Sequence, residues 1–369
     1  MKKIHIVFLY LSLLLCSVNT YAQFRKYSNE FLNIGAGARG LAMGGAQVAS
    51  VNNATAAYWN PAGLSNVIDQ PTINFMHAEY FAGIGKYDYG TIAFPSSGNK
   101  RTIGLSLLRF AVDDIPNTLY LVEPDGSINY NNIQTFSSAD YAFLLSVAQE
   151  FKDFKGMKVS GGLNAKVINR KVGSFAKAWG FGFDVGIQLK AKKWFAGISA
   201  RDITTTFNAW SFTFTEKEKE ALYLTNNDIP VKSTELTAPR LILAGGYKFT
   251  VNENIDILAE MDLDLIFDGK RNTVISSNVI NVDPHIGVEA GYKNTFFVRA
   301  GINNFQRALK DADTLNQKKV WIYQPSLGAG IKINNVMIDY AFTNLANQSN
   351  PLYTHVFSLQ FGLGRKEKK

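Results

Sequence analysis

The stretch Tyr353 to Leu363, Y-T-H-V-F-S-L-Q-F-G-L, alternates between two kinds of side chain. One face carries Phe357, Leu359, Phe361 and Leu363, and the other carries Thr354, Ser358 and Gln360. A tilted strand of about 9–11 residues with this alternation is long enough to cross the hydrocarbon core of a bilayer. The same pattern recurs along the chain, so it predicts a membrane-spanning β-barrel.

Fourteen segments carry this strand pattern, and single-chain bacterial barrels have even strand numbers. They are residues 72–82, 87–95, 101–110, 137–150, 157–171, 180–191, 193–201, 239–250, 255–265, 283–293, 295–302, 322–333, 335–343 and 353–363. From the second strand onward, short turns alternate with joints that are mostly long, such as 111–136 and 202–238. We therefore predict an all-β fold: a 14-stranded antiparallel transmembrane outer-membrane β-barrel over residues 72–364, with periplasmic turns and extracellular loops.

Charged residues indicate which face of each strand points inward. In residues 181–191, Phe181 and Phe183 share a face that excludes Asp184 and Lys190. In residues 255–265 the apolar face opposes one that carries Asp256, Glu260, Asp262 and Asp264. A Lys or Arg that faces lipid near the midplane costs about 2–4 kcal/mol, so the charged faces are expected to line the lumen. We expect the lumenal acids to form salt bridges with lumenal bases such as Lys158, Lys166 and Arg170.

The first 22 residues have the features of a cleaved signal peptide. Lys2 and Lys3 precede the apolar run 4–18, and Thr20 and Ala22 place small residues before a cut at Gln23. The alternative, a transmembrane anchor, needs a longer apolar run of roughly 20 residues. Cleavage removes the single cysteine, Cys16, and lowers the formal charge from +8 to +6. We expect the cell outer membrane as the location, both termini in the periplasm, and a short charged tail at 365–369.

Residues 23–71 lack a spanning pattern and are rich in glycine and small apolar side chains. We interpret this segment as a plug that folds into the barrel. Its sharpest cluster is Tyr58, Trp59, Asn60, Pro61 and Ala62, which is either a hatch element set against the wall or a simple turn. Many inward positions of the strands are glycine, which allows an inner element to approach closely and favours an occupied lumen.

Other motifs give no sign of catalysis, of a cofactor or of a metal. Gly35-x-Gly37-x-x-Gly40 matches a dinucleotide fingerprint, but no βαβ pattern surrounds it, so we expect a backbone turn there. His77, His285 and His355 are scattered over three strands without zinc-ligand spacing. No nucleophile motif accompanies the lumenal acids, and no basic block indicates nucleic acid as a partner. We expect a protein that is not an enzyme and that contacts outer-membrane lipid.

Several blocks of sequence resemble those of a known family. These are residues 31–40 (F-L-N-I-G-A-G-A-R-G), 42–46 (A-M-G-G-A), 57–64 (A-Y-W-N-P-A-G-L), 339–342 (D-Y-A-F) and 354–359 (T-H-V-F-S-L). Together they resemble PorV/PorQ-type proteins, which belong to the wider FadL-like (long-chain fatty acid transporter) barrels. The resemblance implies a FadL-like 14-stranded barrel with a plugged lumen. It also implies a non-enzymatic component of the type IX secretion system that binds a large translocon barrel and secreted cargo proteins with C-terminal signal domains.

Two hypotheses about function follow. In the first, the chain is such a secretion component, and the long loops contact partner proteins through aromatics such as Trp210, Phe212 and Phe214. The alternative role of these aromatics is packing of the loop onto the rim. In the second hypothesis, the chain is a FadL-like outer-membrane transporter of hydrophobic small molecules, which predicts an apolar pocket between plug and wall. The glycine-rich, charged lumenal faces of the strands count against this pocket.

Overall fold

The computed structural model describes residues 28–96, 100–123, 125–151, 153–309, 319–345 and 353–364. The signal-peptide prediction for residues 1–22 and the predicted tail at 365–369 lie outside these residues, as do residues 23–27 at the start of the predicted plug. The periplasmic location of both termini therefore stays a prediction.

The described residues form seventeen strands and three α-helices. The strands are β1 (Thr72–Tyr80), β2 (Gly85–Ser96), β3 (Arg101–Asn117), β4 (Gln134–Glu150), β5 (Lys158–Val172), β6 (Ala176–Lys190), β7 (Trp194–Arg201), β8 (Phe207–Phe212), β9 (Ser233–Leu236), β10 (Arg240–Asn252), β11 (Ile255–Ile266), β12 (Ile275–Ser276), β13 (Asn281–Tyr292), β14 (Phe296–Leu309), β15 (Lys319–Ile333), β16 (Val336–Thr343) and β17 (Thr354–Gly362). The α-helices are α1 (Ala38–Ala42), α2 (Ala56–Trp59) and α3 (Glu216–Leu224), and 3-10 turns lie at Glu30–Asn33, Pro61–Asn66 and Tyr130–Asn132. No helix in the described ranges has the length and apolar character that a membrane crossing needs.

Fourteen of the described strands close into an antiparallel barrel. These are β1–β7, β10, β11 and β13–β17, and the ring closes because β1 pairs with both β2 and β17. β8 pairs with residues 176–181 of β6, and β9 pairs with β8. β12 pairs with the start of β13. The prediction of a 14-stranded barrel is confirmed, and all fourteen predicted segments correspond to its strands.

Several strand ends differ from the prediction at the end of the barrel that carries the long loops (the long-loop end). β3 continues to Asn117 and β14 to Leu309, because strand pairing extends beyond the apolar band. The predicted loop 172–179 is wrong, since β5 and β6 pair up to Val172 and Ala176 and leave only residues 173–175 between them. Gly173 turns the chain there with φ +54°. The opposite end, with turns such as 191–193 and 334–335, is called the short-turn end.

The two faces of β6 and β11 sort as predicted. Along β6, Phe181, Phe183 and Ile187 are exposed, whereas Asp184 and Gln188 are buried. β11 repeats this division, with Met261 exposed and Glu260, Asp262 and Asp264 buried. The exposed apolar face is therefore the outer surface of the barrel, and the polar face points into the lumen.

Residues 28–71 run through the lumen from one end of the barrel to the other. Ser28 and Asn29 lie at the long-loop end, where they join Thr237 and Asn208 by hydrogen bonds. Gln70 lies at the short-turn end, where its Oε1 accepts a hydrogen bond from the Gly364 amide at 3.1 Å. Most side chains between these points are buried, and they form one core with inward residues of the strands. This segment positions the site described below.

Candidate ligand cavity

Asn60 joins the N-terminal segment to the barrel wall. Its side-chain amide donates to the carbonyl oxygens of Val48 at 3.0 Å, Ile187 at 3.1 Å and Ile198 at 3.4 Å. Its Oδ1 accepts from the Ala62 amide at 3.2 Å and caps the 3-10 turn that begins at Pro61. A proline suits the first position of such a turn because its missing N–H has no partner there. Asn60 thus fixes the segment against β6 and β7.

Glycines on the wall make room for this turn. A Cβ atom on Gly186 would lie 2.0 Å from the Oδ1 of Asn60, and one on Gly162 would lie 2.3 Å from the backbone of Pro61 and Ala62. On the other side of the lumen, a Cβ on Gly301 would lie 2.1 Å from the backbone at Gly44. The inward glycines are therefore places where backbone packs directly on backbone.

Tyr58 and Trp59 hold the glycine-rich start of the segment. The Tyr58 hydroxyl donates to the Leu32 carbonyl at 2.6 Å and accepts from the Gly35 amide at 2.8 Å. The Trp59 indole donates to the Ala36 carbonyl at 2.7 Å, and the two rings meet edge to face at 5.0 Å. Gly35 has φ +110°, in the region that favours glycine. The chain bends at residues 36 and 37 before α1 begins, which agrees with the expected backbone turn.

Two lumenal carboxylates bind four consecutive backbone amides of the segment. Asp262 Oδ2 accepts from residues 47 and 48 at 2.9 and 3.0 Å, and Glu260 Oε1 accepts from residues 49 and 50 at 2.7 and 3.2 Å. Both acids are buried, and neither forms an ion pair within 4.0 Å with a described residue. These carboxylates therefore fasten the inner segment to β11.

Lumenal acids and bases form ion pairs, but the prediction that the acids of β11 pair with the bases of β5 is wrong. Lys166 pairs with Asp184 and Asp202 at 2.7 and 2.6 Å, and Arg170 pairs with Asp140 and Glu235. Lys158 reaches Glu150 at the short-turn end, while Asp256 and Asp264 pair with Lys248 and Arg240. The bases of β5 bind acids on nearby strands and loops because the N-terminal segment lies between them and β11.

A cavity of about 450 Å³ lies between the N-terminal segment and the wall toward the long-loop end. Its apolar lining includes Ile34, Leu41, Trp59, Ile242, Ile266 and Val356. Its charged lining comprises Glu30, Arg201, Arg240, Asp262, Asp264, Arg271, Asp283 and the ionisable His285. The cavity is thus apolar on part of its surface and charged on the rest.

Arg201 is a charged group of the cavity lining without an ion pair. The buried guanidinium lies 4.7 Å above the Tyr58 ring and donates to the Tyr58 carbonyl at 3.0 Å, and no carboxylate of the described residues lies within 4.0 Å of it. Arg271, in the loop between β11 and β12, differs from Arg201 because it pairs with two carboxylates. Burial acts to lower its pKa, but the hydrogen bonds to Asp268 and the ion pair with Glu30 outweigh burial and raise that pKa. Arg201 is therefore the cation of the cavity lining best able to pair with a polar group of a bound molecule.

The barrel wall beside the cavity is unpaired between two strands. β13 and β14 pair only from Ile286 with Ile302 to the short-turn end. Residues 281–285 of β13 pair with β11 and β12, and Asn303 and residues 306–309 of β14 pair with β15. Farther out, Asn272 bridges the interval by two hydrogen bonds with the backbone of Arg307 at 2.8 and 3.0 Å.

The two edges of this unpaired wall segment (residues 281–285 and 303–309) also line the cavity. Asp283 and His285 come from one edge, and Asn303, Asn304 and Gln306 come from the other. Backbone without strand partners is tolerated at membrane depth only where protein or a polar cavity satisfies it. The cavity therefore extends to the barrel wall.

The three aromatics of the predicted partner-contact loop pack on the rim. Trp210 donates to Glu235 at 2.9 Å and lies 5.1 Å from the Arg170 guanidinium. Phe212 stacks on Trp210, and Phe214 stacks on Phe175. All three are half-buried. Their contact with a partner stays a prediction.

Comparisons with solved structures bear on the fold. No protein-family model matches the sequence, and no curated protein matches it. The toluene transporter TbuX of Ralstonia pickettii is 12% identical with a TM-score of 0.52, covering 89% of this chain and 99% of that one. TodX of Pseudomonas putida, also a toluene transporter, is 12% identical with a TM-score of 0.52, covering 88% and 96%. The CymD monoaromatic hydrocarbon channel is 11% identical with a TM-score of 0.52, covering 90% and 98%.

The fold is that of a FadL-like outer-membrane barrel. At 11–12% identity this likeness extends to the fold alone. It agrees with the FadL-like part of the resemblance found in the sequence and does not bear on the PorV/PorQ part.

The second hypothesis from the sequence predicted a pocket between plug and wall, but the sequence did not identify the residues that line it. Ile34 and Leu41 come from the segment that we interpret as a plug, and Ile242 comes from β10. The role of residues 58–62 as a hatch element stays a prediction. Pro284 within β13 was a usable signal for the unpaired wall, because proline has no amide to donate to a strand ladder.

Proposed function

We propose that this protein is a FadL-like outer-membrane transporter that takes hydrophobic small molecules into the cavity between its N-terminal segment and its wall. The cavity of about 450 Å³ carries this proposal. It falls in the size range of small-molecule sites, and its lining combines apolar surface with a few convergent polar groups. The TbuX, TodX and CymD folds support the proposal because those proteins are described as transporters or channels for toluene and monoaromatic hydrocarbons.

The lining favours a ligand with an apolar body and a polar head. The glycine-rich, charged strands counted against an apolar pocket in the sequence. In the structure, Ile34, Leu41 and Trp59 of the N-terminal segment add apolar surface to that of Ile242, Ile266 and Val356 on the strands. Arg201 and His285 lie on the polar part of the lining. A long-chain alcohol or carboxylate has an apolar chain for the apolar part of the lining and a polar head for Arg201 and His285, whereas a pure hydrocarbon has no polar head.

Filling the cavity should remove binding. Ile242 points inward on β10 and is buried, whereas its neighbour Leu243 points outward and is exposed. We expect Ile242→Trp to lower retention of dodecanoate or dodecanol at least tenfold, measured by native mass spectrometry of the barrel released from detergent. Leu243→Trp, the matched control, should retain both compounds. Equal retention by the two variants would contradict a ligand site in this cavity.

We further propose that residues 23–71 act as the plug of the barrel. The support is the run of hydrogen bonds from the segment to β11, β6 and β7 through Asp262, Glu260 and Asn60. In this role the segment 58–62 is a hatch element that sets the plug against the wall. Movement of the plug would then connect the cavity with the short-turn end.

A second candidate function is the type IX secretion role that the sequence resemblance implies. The observation that favours it is a group of water-exposed apolar residues at the long-loop end: Tyr223 is 80% exposed, Leu224 is 72% exposed and Val231 is 78% exposed. The first two lie on α3, which Thr215 and Glu218 cap reciprocally. Large exposed apolar side chains on a well-formed helix are common at protein-binding sites.

If the long loops bind secretion partners, the exposed residues should carry the binding. We expect Tyr223→Ala with Leu224→Ala to lose co-purification of a large translocon barrel and of cargo proteins with C-terminal signal domains after gentle extraction. The triple Trp210→Ala, Phe212→Ala, Phe214→Ala tests the aromatics in the same way. Heat-modifiable migration on gels verifies that each variant barrel is folded. If the wild-type protein co-purifies with neither kind of partner, the second candidate is wrong.

A further inference from the structure

The outer surface of the barrel carries a concentration of charge on three neighbouring strands. Six ionisable residues form this outer charged patch: His77, Glu79, Lys86, Asp88, Arg109 and Asp113. Their side chains are between 33% and 49% exposed. They belong to β1, β2 and β3, and they point away from the lumen, since their strand neighbours Ala78, Tyr87 and Leu108 are buried in the core.

Ion pairs connect the patch into two groups. Asp88 accepts from His77 Nδ1 at 2.7 Å and from Arg109 at 3.0 Å, and Glu79 meets His77 Nε2 at 3.2 Å. Lys86 pairs with Asp113 at 2.9 Å beside them. The patch therefore presents both signs of charge across strand boundaries.

The part of the patch nearest the short-turn end lies at a height where the outer face of β6 is apolar. On β6, every outward position from Trp179 to Leu189 is apolar. On β3, only three outward apolar residues separate Arg101 from Arg109. Eight residue steps at about 3.3 Å and a tilt of about 40° raise the chain by roughly 20 Å, less than the apolar band of about 25 Å. Arg109 and the residues beside it thus fall inside the band that lipid tails cover elsewhere.

Lipid is a poor cover for this patch. Charged side chains that face hydrocarbon are unfavourable, so such residues usually face protein or water. Anionic head groups attract clusters of bases, whereas here three acids accompany three basic side chains. The surface that contacts the patch should therefore carry both acidic and basic groups, spaced so that each can face a group of opposite charge on the patch.

A second copy of the same surface satisfies this requirement. Two-fold symmetry brings one surface against itself, and a patch with equal numbers of acids and bases can then oppose acid with base. Exposed apolar side chains would supply the apolar part of the contact: Phe75 and Leu105 lie below the patch, and Phe357 lies opposite His77 on β17. We infer that the outward face of β1–β3 is the contact surface between two copies of this barrel in the membrane.

Cross-linking in the membrane tests the inference directly. Gly90 points outward on β2 next to the patch, and a Cβ there makes only ordinary contacts with Phe75 at 3.6 Å. With a short bis-maleimide on intact outer membranes, Gly90→Cys should give a covalent dimer, whereas Ile187→Cys on β6 should stay monomeric. The sequence contains one cysteine, Cys16, so the unsubstituted chain is the background control. Monomer alone from Gly90→Cys, or a cross-link to a different protein, would overturn the inference.

A charge-free variant separates a protein contact from a lipid contact. We expect the purified wild-type barrel to sediment as a dimer and the triple His77→Leu, Asp88→Leu, Arg109→Leu to sediment as a monomer with normal heat-modifiable migration. A wild-type monomer, or a triple variant with the same mass as the wild type, would count against the inference. If the triple variant does not fold, the Gly90→Cys cross-link decides, because it leaves the charges in place.

Discussion

Gly162→Val should displace the N-terminal segment and strongly destabilise the barrel. A Cβ at this position would lie 2.3 Å from the backbone of both Pro61 and Ala62. Asn60 holds that backbone on the other side through bonds to Ile187 and Ile198, so it has little freedom to withdraw. Overpacking of a well-filled core costs typically about 1–3 kcal/mol, and a clash with backbone belongs at the upper end.

The effect of Gly162→Val is best measured as the urea midpoint of the folded barrel together with protease cleavage within residues 28–71. Gly245→Val is the matched control, because residue 245 also lies in a barrel strand but nothing lies within 4 Å of its Cβ position. We expect a lower midpoint and faster cleavage for Gly162→Val alone. Equal behaviour of the two variants would mean that the segment does not pack against β5 as described.

The second large effect should come from the carboxylates that hold residues 47–50. Asp262→Ala leaves two buried amides without their acceptor, and Glu260→Ala leaves two more. A buried donor left unsatisfied costs about 1–3 kcal/mol, so either substitution should lower the free energy of unfolding by several kcal/mol. The double variant should free the middle of the N-terminal segment while leaving the strand pairing of β11 intact.

Asp256→Ala on the same strand is the control for these carboxylates. Asp256 pairs with Lys248 at 2.8 Å, with both side chains more than 40% exposed. Exposed ion pairs contribute about 0–1 kcal/mol, so this substitution should have a small effect. Denaturant unfolding measures all four variants, and cysteine labelling at residue 50 in a Ser50→Cys background reports whether the segment is released. A loss for Asp262→Ala no larger than that for Asp256→Ala would contradict the fastening role.

The strands were predictable from sequence because the membrane imposes a strict alternation on them. In β6, the outward series from Phe181 to Leu189 and the inward Asp184 and Gln188 allow one register, since a shift by one residue would place charge in lipid. The ends were less predictable, because above the membrane nothing forces the alternation to stop. β3 accordingly continues seven residues beyond the predicted end at 110, to Asn117.

The lumenal contacts were not predictable in the same way. Lys166 and Asp262 both point inward, but which acid meets which base depends on the stagger of the strands and on what lies between them. The N-terminal segment lies there and takes Asp262 and Glu260 for its own amides. The same segment supplies Leu41 and Trp59 to the cavity, so strand faces alone gave too polar a picture of the lumen.

We propose that a hydrophobic molecule passes through the cavity and reaches it across the unpaired wall segment, whose two edges line the cavity. Uptake across that segment is therefore the measurement to make. In a strain that depends on this protein, Pro284→Cys with Asn304→Cys places one thiol on each edge, and a bifunctional methanethiosulfonate bridges them reversibly. We expect bridging to lower uptake of radiolabelled dodecanol to the level of cells without the protein, and reduction of the bridge to restore uptake. Unbridged uptake no higher than that of cells without the protein, or uptake unchanged by the bridge, would contradict passage through the cavity by this route.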